Sequence, residues 1–131
     1  MGYTVRWPLE IGTMKYFGDW QFDTDTHTLT HGDHKHRIAH TPSQVLITLI
    51  EQAPQLVTHQ SLFEQFWQGD KDAGQKGLNN AIWQLRKILG NDAIVTVRKS
   101  GYQLNLPVHV GPKTQKNRHT VWLAIVALLL L

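Results

Sequence analysis

Apolar positions recur along this chain at two periods, one helical and one strand-like, and they divide it into recognisable elements. The clearest stretch is residues 77–89, where Leu78, Ile82, Leu85 and Leu89 share one helix face. Asn80, Gln84 and Lys87 lie on the opposite side, flanked by Asn79, Trp83 and Arg86. The spacing predicts a helix with a core-facing stripe and an outer face of amides and cations. Residues 94–104 then read as a hairpin with Arg98 and Lys99 at its tip. Upstream, Thr41 reads as an N-cap, with Pro42 at the first helical position and Gln44 completing a capping box. That first helix turns Leu46, Leu49 and Ile50 inward and stops before Pro54. Thr58 can cap a second helix, in which Leu62 meets Phe66 and Phe63 meets Trp67 four residues on. Residues 68–74 are polar and carry two glycines, so they read as a loop into the third helix. Ahead of the helices, residues 20–22, 28–30 and 36–39 alternate between turn residues such as Gly32 and Asp33, predicting a small antiparallel sheet.

Strands, three helices and a terminal hairpin define an α+β chain with winged helix-turn-helix architecture, one domain of about 100 residues and a tail. Charge sharpens the picture. Residues 1–74 hold five Lys/Arg against nine Asp/Glu, whereas residues 75–106 hold five (Lys76, Arg86, Lys87, Arg98, Lys99) against Asp92 alone. The third helix and the hairpin therefore form a positive pole on a mildly acidic body, as expected of a surface that displaces counterions from phosphate. Amides and cations are also the side chains that read base edges, and a helix fits the DNA major groove. The absence of cysteine excludes disulfides and thiolate-ligated metal, in keeping with a reducing compartment. No signal-peptide pattern, nucleophile elbow, phosphate-cradling glycine loop or paired-carboxylate signature occurs, so an enzymatic reading has no support and no cofactor is expected.

The C-terminus adds a different expectation. Residues 120–131 are an uncharged apolar run behind Lys113, Lys116, Arg118 and His119. A bilayer span takes about 20 apolar residues, so these twelve read as the start of a truncated transmembrane helix, or else as a terminal packing helix. Under the first reading the preceding cations place the domain in the cytoplasm, held at the inner membrane by a single pass.

Five histidines (His27, His31, His34, His36 and His40) fall within fourteen residues. They could ligate a metal or sense pH, but they straddle strands and a turn without the helical spacing of a metalloenzyme site. A solvated sheet is the simpler expectation, with no metal bound.

Ala81-Ile82-x-x-Leu85-Arg86-Lys87-x-Leu89 joined to Thr96-Val97-Arg98-x-x-Gly101-Tyr102 resembles the OmpR-type winged-helix DNA-binding domain, over residues 17–106. Within that family the chain looks like the ToxR/CadC-like membrane-anchored regulators, because the domain comes first and an apolar segment follows. The resemblance implies an N-terminal extension at 1–16, the winged helix at 17–106, a basic linker at 107–119 and the membrane segment at 120–131. It also implies a DNA-contacting set of Lys76, Asn79, Asn80, Trp83, Gln84, Arg86, Lys87, Thr96, Arg98 and Lys99. In that set the third helix reads the major groove, and the wing approaches the backbone or minor groove. Gln84 stands where many relatives carry arginine. Trp83 is bulky for a groove-facing position; it would pack on a sugar or thymine methyl, or lie against the wing. Tyr102 is expected beneath the wing.

The partners so implied are double-stranded promoter DNA, RNA polymerase (through residues 68–74), the inner membrane, and a second protomer on DNA. The alternative is a winged helix that serves only as a protein-interaction module.

Overall fold

A computed structural model describes residues 13–111. Four short strands open the chain: β1 (Met14–Phe17), β2 (Trp20–Asp23), β3 (Thr28–His31) and β4 (His34–Arg37). Then follow α1 (His40–Gln52), β5 (Val57–Thr58), α2 (His59–Trp67) and α3 (Lys71–Leu89), and finally β6 (Ile94–Val97), β7 (Gly101–Leu104) and β8 (Val108–His109). One antiparallel sheet has the order β4-β3-β2-β1-β8, and a second, of three strands, the order β5-β7-β6.

The first sheet follows from its alternation. Phe22 and Leu29 are cross-strand partners and both are fully buried, so β2 and β3 drive the same face into the core. β4 has all four residues exposed, and its polar sequence His-Lys-His-Arg suits an edge strand that must not recruit another chain. Val45, Leu46 and Leu49 of α1, Leu62 of α2, and Leu78 and Leu85 of α3 meet Phe17, Phe22 and Leu29 in one core cluster. Both α1 and α2 pack on α3.

Three expectations need correction. The first helix starts at His40, with Ala39 at the cap position and no side-chain cap, so the box built on Thr41 and Gln44 does not form. Every N–H of a first turn lacks an intrahelical acceptor, so Pro42 fits two positions further in than expected. The second correction concerns the sheet. β1 and β8 pair with each other (Tyr16 with His109, Phe17 with Val108), so the sheet extends past both ends of the stretch 17–106. Residues 1–12 and 112–131, including most of the extension, most of the linker and the apolar run, lie outside the described residues. Among the described residues no helix is long and apolar enough to cross a membrane.

The third correction moves the helix-turn-helix. α3 begins at Lys71, six residues ahead of the predicted start, so the connection from α2 is only residues 68–70. Gln68 adopts the left-handed conformation (φ 54°) and Gly69 follows at φ 82°. Asp70 caps the new helix, its Oδ1 accepting from the N–H groups of Asp72 (3.0 Å) and Ala73 (3.1 Å). The second helix starts as expected, with Thr58 Oγ1 accepting from Ser61 N–H at 3.1 Å.

Gly74 fell in the expected loop and Gly77 at the expected helix start, yet both lie within α3. A Cβ on Gly74 would collide with the Phe63 ring, and one on Gly77 with the Trp67 indole, so the glycines are what lets α2 cross so closely. Replacing Gly74 with alanine should therefore lower stability by roughly 1–3 kcal/mol through overpacking, even though alanine is the better helix former by about 1 kcal/mol. A thermal melt that shifts upward would show that Phe63 yields without cost.

Candidate nucleic-acid interface

α3 is amphipathic over its whole length. Gly74, Leu78, Ala81, Ile82 and Leu85 are buried; Lys76, Asn79, Asn80, Trp83 and Lys87 are exposed on the other side. Lys76, Asn80, Trp83 and Lys87 follow one another at intervals of four, three and four residues, which is one ridge of a helix. Gln84 sits on the flank of this ridge and is half-buried. Gln75 donates to Asn79 Oδ1 at 2.9 Å, bracing that amide one turn along. The Lys87 ammonium stands 4.3 Å from the centre of the Trp83 ring, a cation–π contact on the exposed surface.

The wing is the β6–β7 hairpin. Its turn is closed by Ser100 N–H donating to the Val97 carbonyl at 3.0 Å, and it leaves Arg98 and Lys99 exposed. Lys99 sits at φ 61°, where a side chain costs about 1–2 kcal/mol relative to right-handed backbone. Tyr102 packs beneath the wing, 7% exposed, with His59 edge-on to its ring at 5.3 Å.

Arg86 is the link between helix and wing. Its Nη2 donates to the Ile94 carbonyl (2.6 Å) and to Thr96 Oγ1 (2.8 Å), and its guanidinium lies 5.9 Å from the centre of the Tyr102 ring. Of the ten residues in the expected contact set, the structure thus gathers Lys76, Asn79, Asn80, Trp83 and Lys87 on one exposed face, with half-buried Gln84 at its flank. Arg98 and Lys99 stand at a separate tip, and Arg86 and Thr96 are joined to each other in a brace. Asn91, in the turn after α3, was not among the ten. With Asn79, Ile82, Trp83, Arg86, Lys87 and Tyr102 it lines a cleft of about 410 Å³ between α3 and the wing. The sequence signal for Asn91 was present, an amide beside the helix-ending Gly90 within the basic pole.

The histidines separate into small groups. His27 faces His40 (5.6 Å between ring centres), His31 pairs with His34 across the β3–β4 turn, and Trp20 stacks near His31 at 4.8 Å and His36 at 6.3 Å. Among the described residues no three or more His, Asp or Glu side chains come together in a metal-binding group.

Residues 33–104 match the family model described as "Transcriptional regulatory protein, C terminal". The chain belongs to this family of winged-helix DNA-binding domains. It is 31% identical over 121 residues to the transcriptional regulator HilA of Salmonella typhimurium, a match that takes in 87% of the chain and 22% of HilA. The chain thus spans about a fifth of the length of that curated relative. Its fold is similar to the DNA-binding domain of CadC from E. coli (TM-score 0.62, 14% identity, 76% of this chain and 97% of that one). It is similar too to the C-terminal domain of the nisin resistance regulator NsrR (TM-score 0.57, 30% identity, 68% and 94%). A third similar structure is the DNA-binding domain of Klebsiella pneumoniae RstA, solved in complex with the RstA box (TM-score 0.60, 24% identity, 70% and 95%).

Proposed function

We propose that this chain is the sequence-reading part of a transcription regulator, with α3 in the major groove of promoter DNA and the tip of the wing on the adjacent backbone or minor groove. The observation that carries the reading is the ridge of lysine, amide and indole on α3 beside a wing tip of two cations, both backed by a continuous core. Amides and apolar groups supply base readout, and the cations supply the salt-dependent phosphate term. The matched family supports the same reading.

Binding to genomic fragments, measured as a function of salt, tests it. Specific fragments should outcompete random DNA. Asn80→Ala should then cost about 1–3 kcal/mol on the selected site and little on random duplex. Equal losses on both would remove base reading from the helix.

The reading extends to the membrane. The apolar run 120–131 behind Lys113, Lys116 and Arg118 supports an anchor that keeps the domain at a negatively charged inner leaflet. There, anchoring raises the local concentration of protomers, so that two domains engage adjacent half-sites together. RNA polymerase is the further partner that a promoter-bound regulator entails. Flotation with anionic vesicles should carry the 131-residue chain upward. A chain that stays with the soluble fraction would defeat the anchoring proposal and leave the DNA reading intact.

A further inference from the structure

Trp83 is 58% exposed, on the outer ridge of α3. One side of the indole lines the cleft between α3 and the wing beside Ile82 and Tyr102, while the core is filled from the opposite face of the helix and more than half of the indole is left in water. Apolar area left in water forfeits burial that would otherwise be favourable. The ring is nevertheless held in place, because the Lys87 ammonium lies 4.3 Å from its centre. Asn79 and Asn80 stand one turn before it on the same surface.

The remaining side chains narrow what this surface can read. Guanine is read through O6 and N7 by a bidentate arginine or lysine. The one arginine of α3, Arg86, is turned aside to Ile94 and Thr96 of the wing, the Lys87 ammonium sits over the indole, and the remaining lysine of the ridge, Lys76, stands two turns before Trp83 towards the start of the helix. Facing outward at the centre of the ridge are two amides and an apolar plate. Amides match N6 and N7 of adenine, and an apolar surface matches the C5-methyl group of thymine.

We infer that Trp83 is a specificity residue that recognises thymine through its C5-methyl group, with Asn80 reading adenine beside it, so that the half-site is built around A·T pairs. This rests on the DNA-reading proposal above. Covering one methyl group is worth about 0.8 kcal/mol, which is about a fourfold change in affinity.

The test uses the 131-residue chain and a site selected from a random duplex pool, with each thymine in turn replaced by deoxyuridine, which lacks only the methyl group. At one or two positions in each half-site the wild-type protein should bind about fourfold more weakly. Trp83→Ala should bind the thymine site more weakly by a similar or larger factor and be indifferent to deoxyuridine at those positions, with its salt slope unchanged. Trp83→Phe, which keeps an apolar ring, should retain part of the discrimination. An unchanged circular dichroism melt for both variants, expected at so exposed a position, ties the effect to contact.

Four results would overturn the inference: a selected site without A·T pairs at the half-site centre, a wild-type protein indifferent to every replacement, a Trp83→Ala variant as sensitive as wild type, or an equal loss on selected and random DNA. The last would mean that the indole packs on sugar. Failure of the wild-type protein to bind any duplex would instead overturn the DNA reading itself.

Discussion

Changing both Arg98 and Lys99 to alanine should weaken binding to every duplex by about 30-fold at physiological salt and lower the salt slope by about two units. Each phosphate contact contributes about 0.9 to that slope, so each lost cation costs about five- to sixfold near 0.15 M salt. Both side chains are exposed at a hairpin tip, away from the core, so the loss should come without a fall in thermal stability. The left-handed backbone of Lys99 makes the position informative. A cation is kept where glycine or asparagine would sit with less strain, and strain of this kind gathers where function requires it. Titrations at several salt concentrations, on selected and random DNA, check the result. An unchanged slope would show that the wing tip points away from the duplex.

Arg86→Ala should have the second large effect, through a different route. It removes two hydrogen bonds from a charged donor to the wing, one to the Ile94 carbonyl and one to Thr96 Oγ1, and these are worth about 1.5–3 kcal/mol each when charged. Stability should fall by roughly 2–4 kcal/mol, since such terms are not fully additive. DNA affinity should fall further than the loss of one phosphate contact would explain, because α3 and the wing no longer hold a fixed separation. Arg86→Lys separates the two possible roles. A lysine keeps the charge but cannot donate two hydrogen bonds from a planar fork. If Arg86 acts as a brace, the lysine variant should lose most of the stability that alanine loses, as read by chemical denaturation. If it acts only as a phosphate contact, neither variant should lose stability, and lysine should keep most of the affinity.

Much of this organisation was legible because it rests on periodicity. Leu78, Ile82 and Leu85 mark the inner face of α3, and that alone determines that Asn79, Asn80, Trp83 and Lys87 face outward. The stop before Pro54 and the Thr58 cap likewise depend on local rules that hold in nearly any context. The pairs β1–β8 and β5–β7 left no such trace. Two-residue strands are too short to show alternation, and what makes them strands is the distant partner they meet: Val108 finds Phe17, and Val57 finds Tyr102.

The start of α3 and the role of Arg86 belong to the tertiary structure for the same reason. Gly74 and Gly77 both carry an intrinsic helix penalty, and Gly74 was read as part of a loop. Glycine is required at both positions because Phe63 and Trp67 occupy the space that side chains would take, and that closeness exists only once α2 has crossed α3. Arg86 belongs by composition to the basic face, yet the wing, folded back against the helix, offers it a carbonyl and a hydroxyl at hydrogen-bonding distance. The sequence by itself therefore determined the class of fold, the direction each helix faces and the sign of charge on the reading surface, all of which follow from local spacing. Which of those charges face outward to a ligand and which bind the domain together was decided only by contacts between residues far apart in the chain, whose geometry no local pattern encodes.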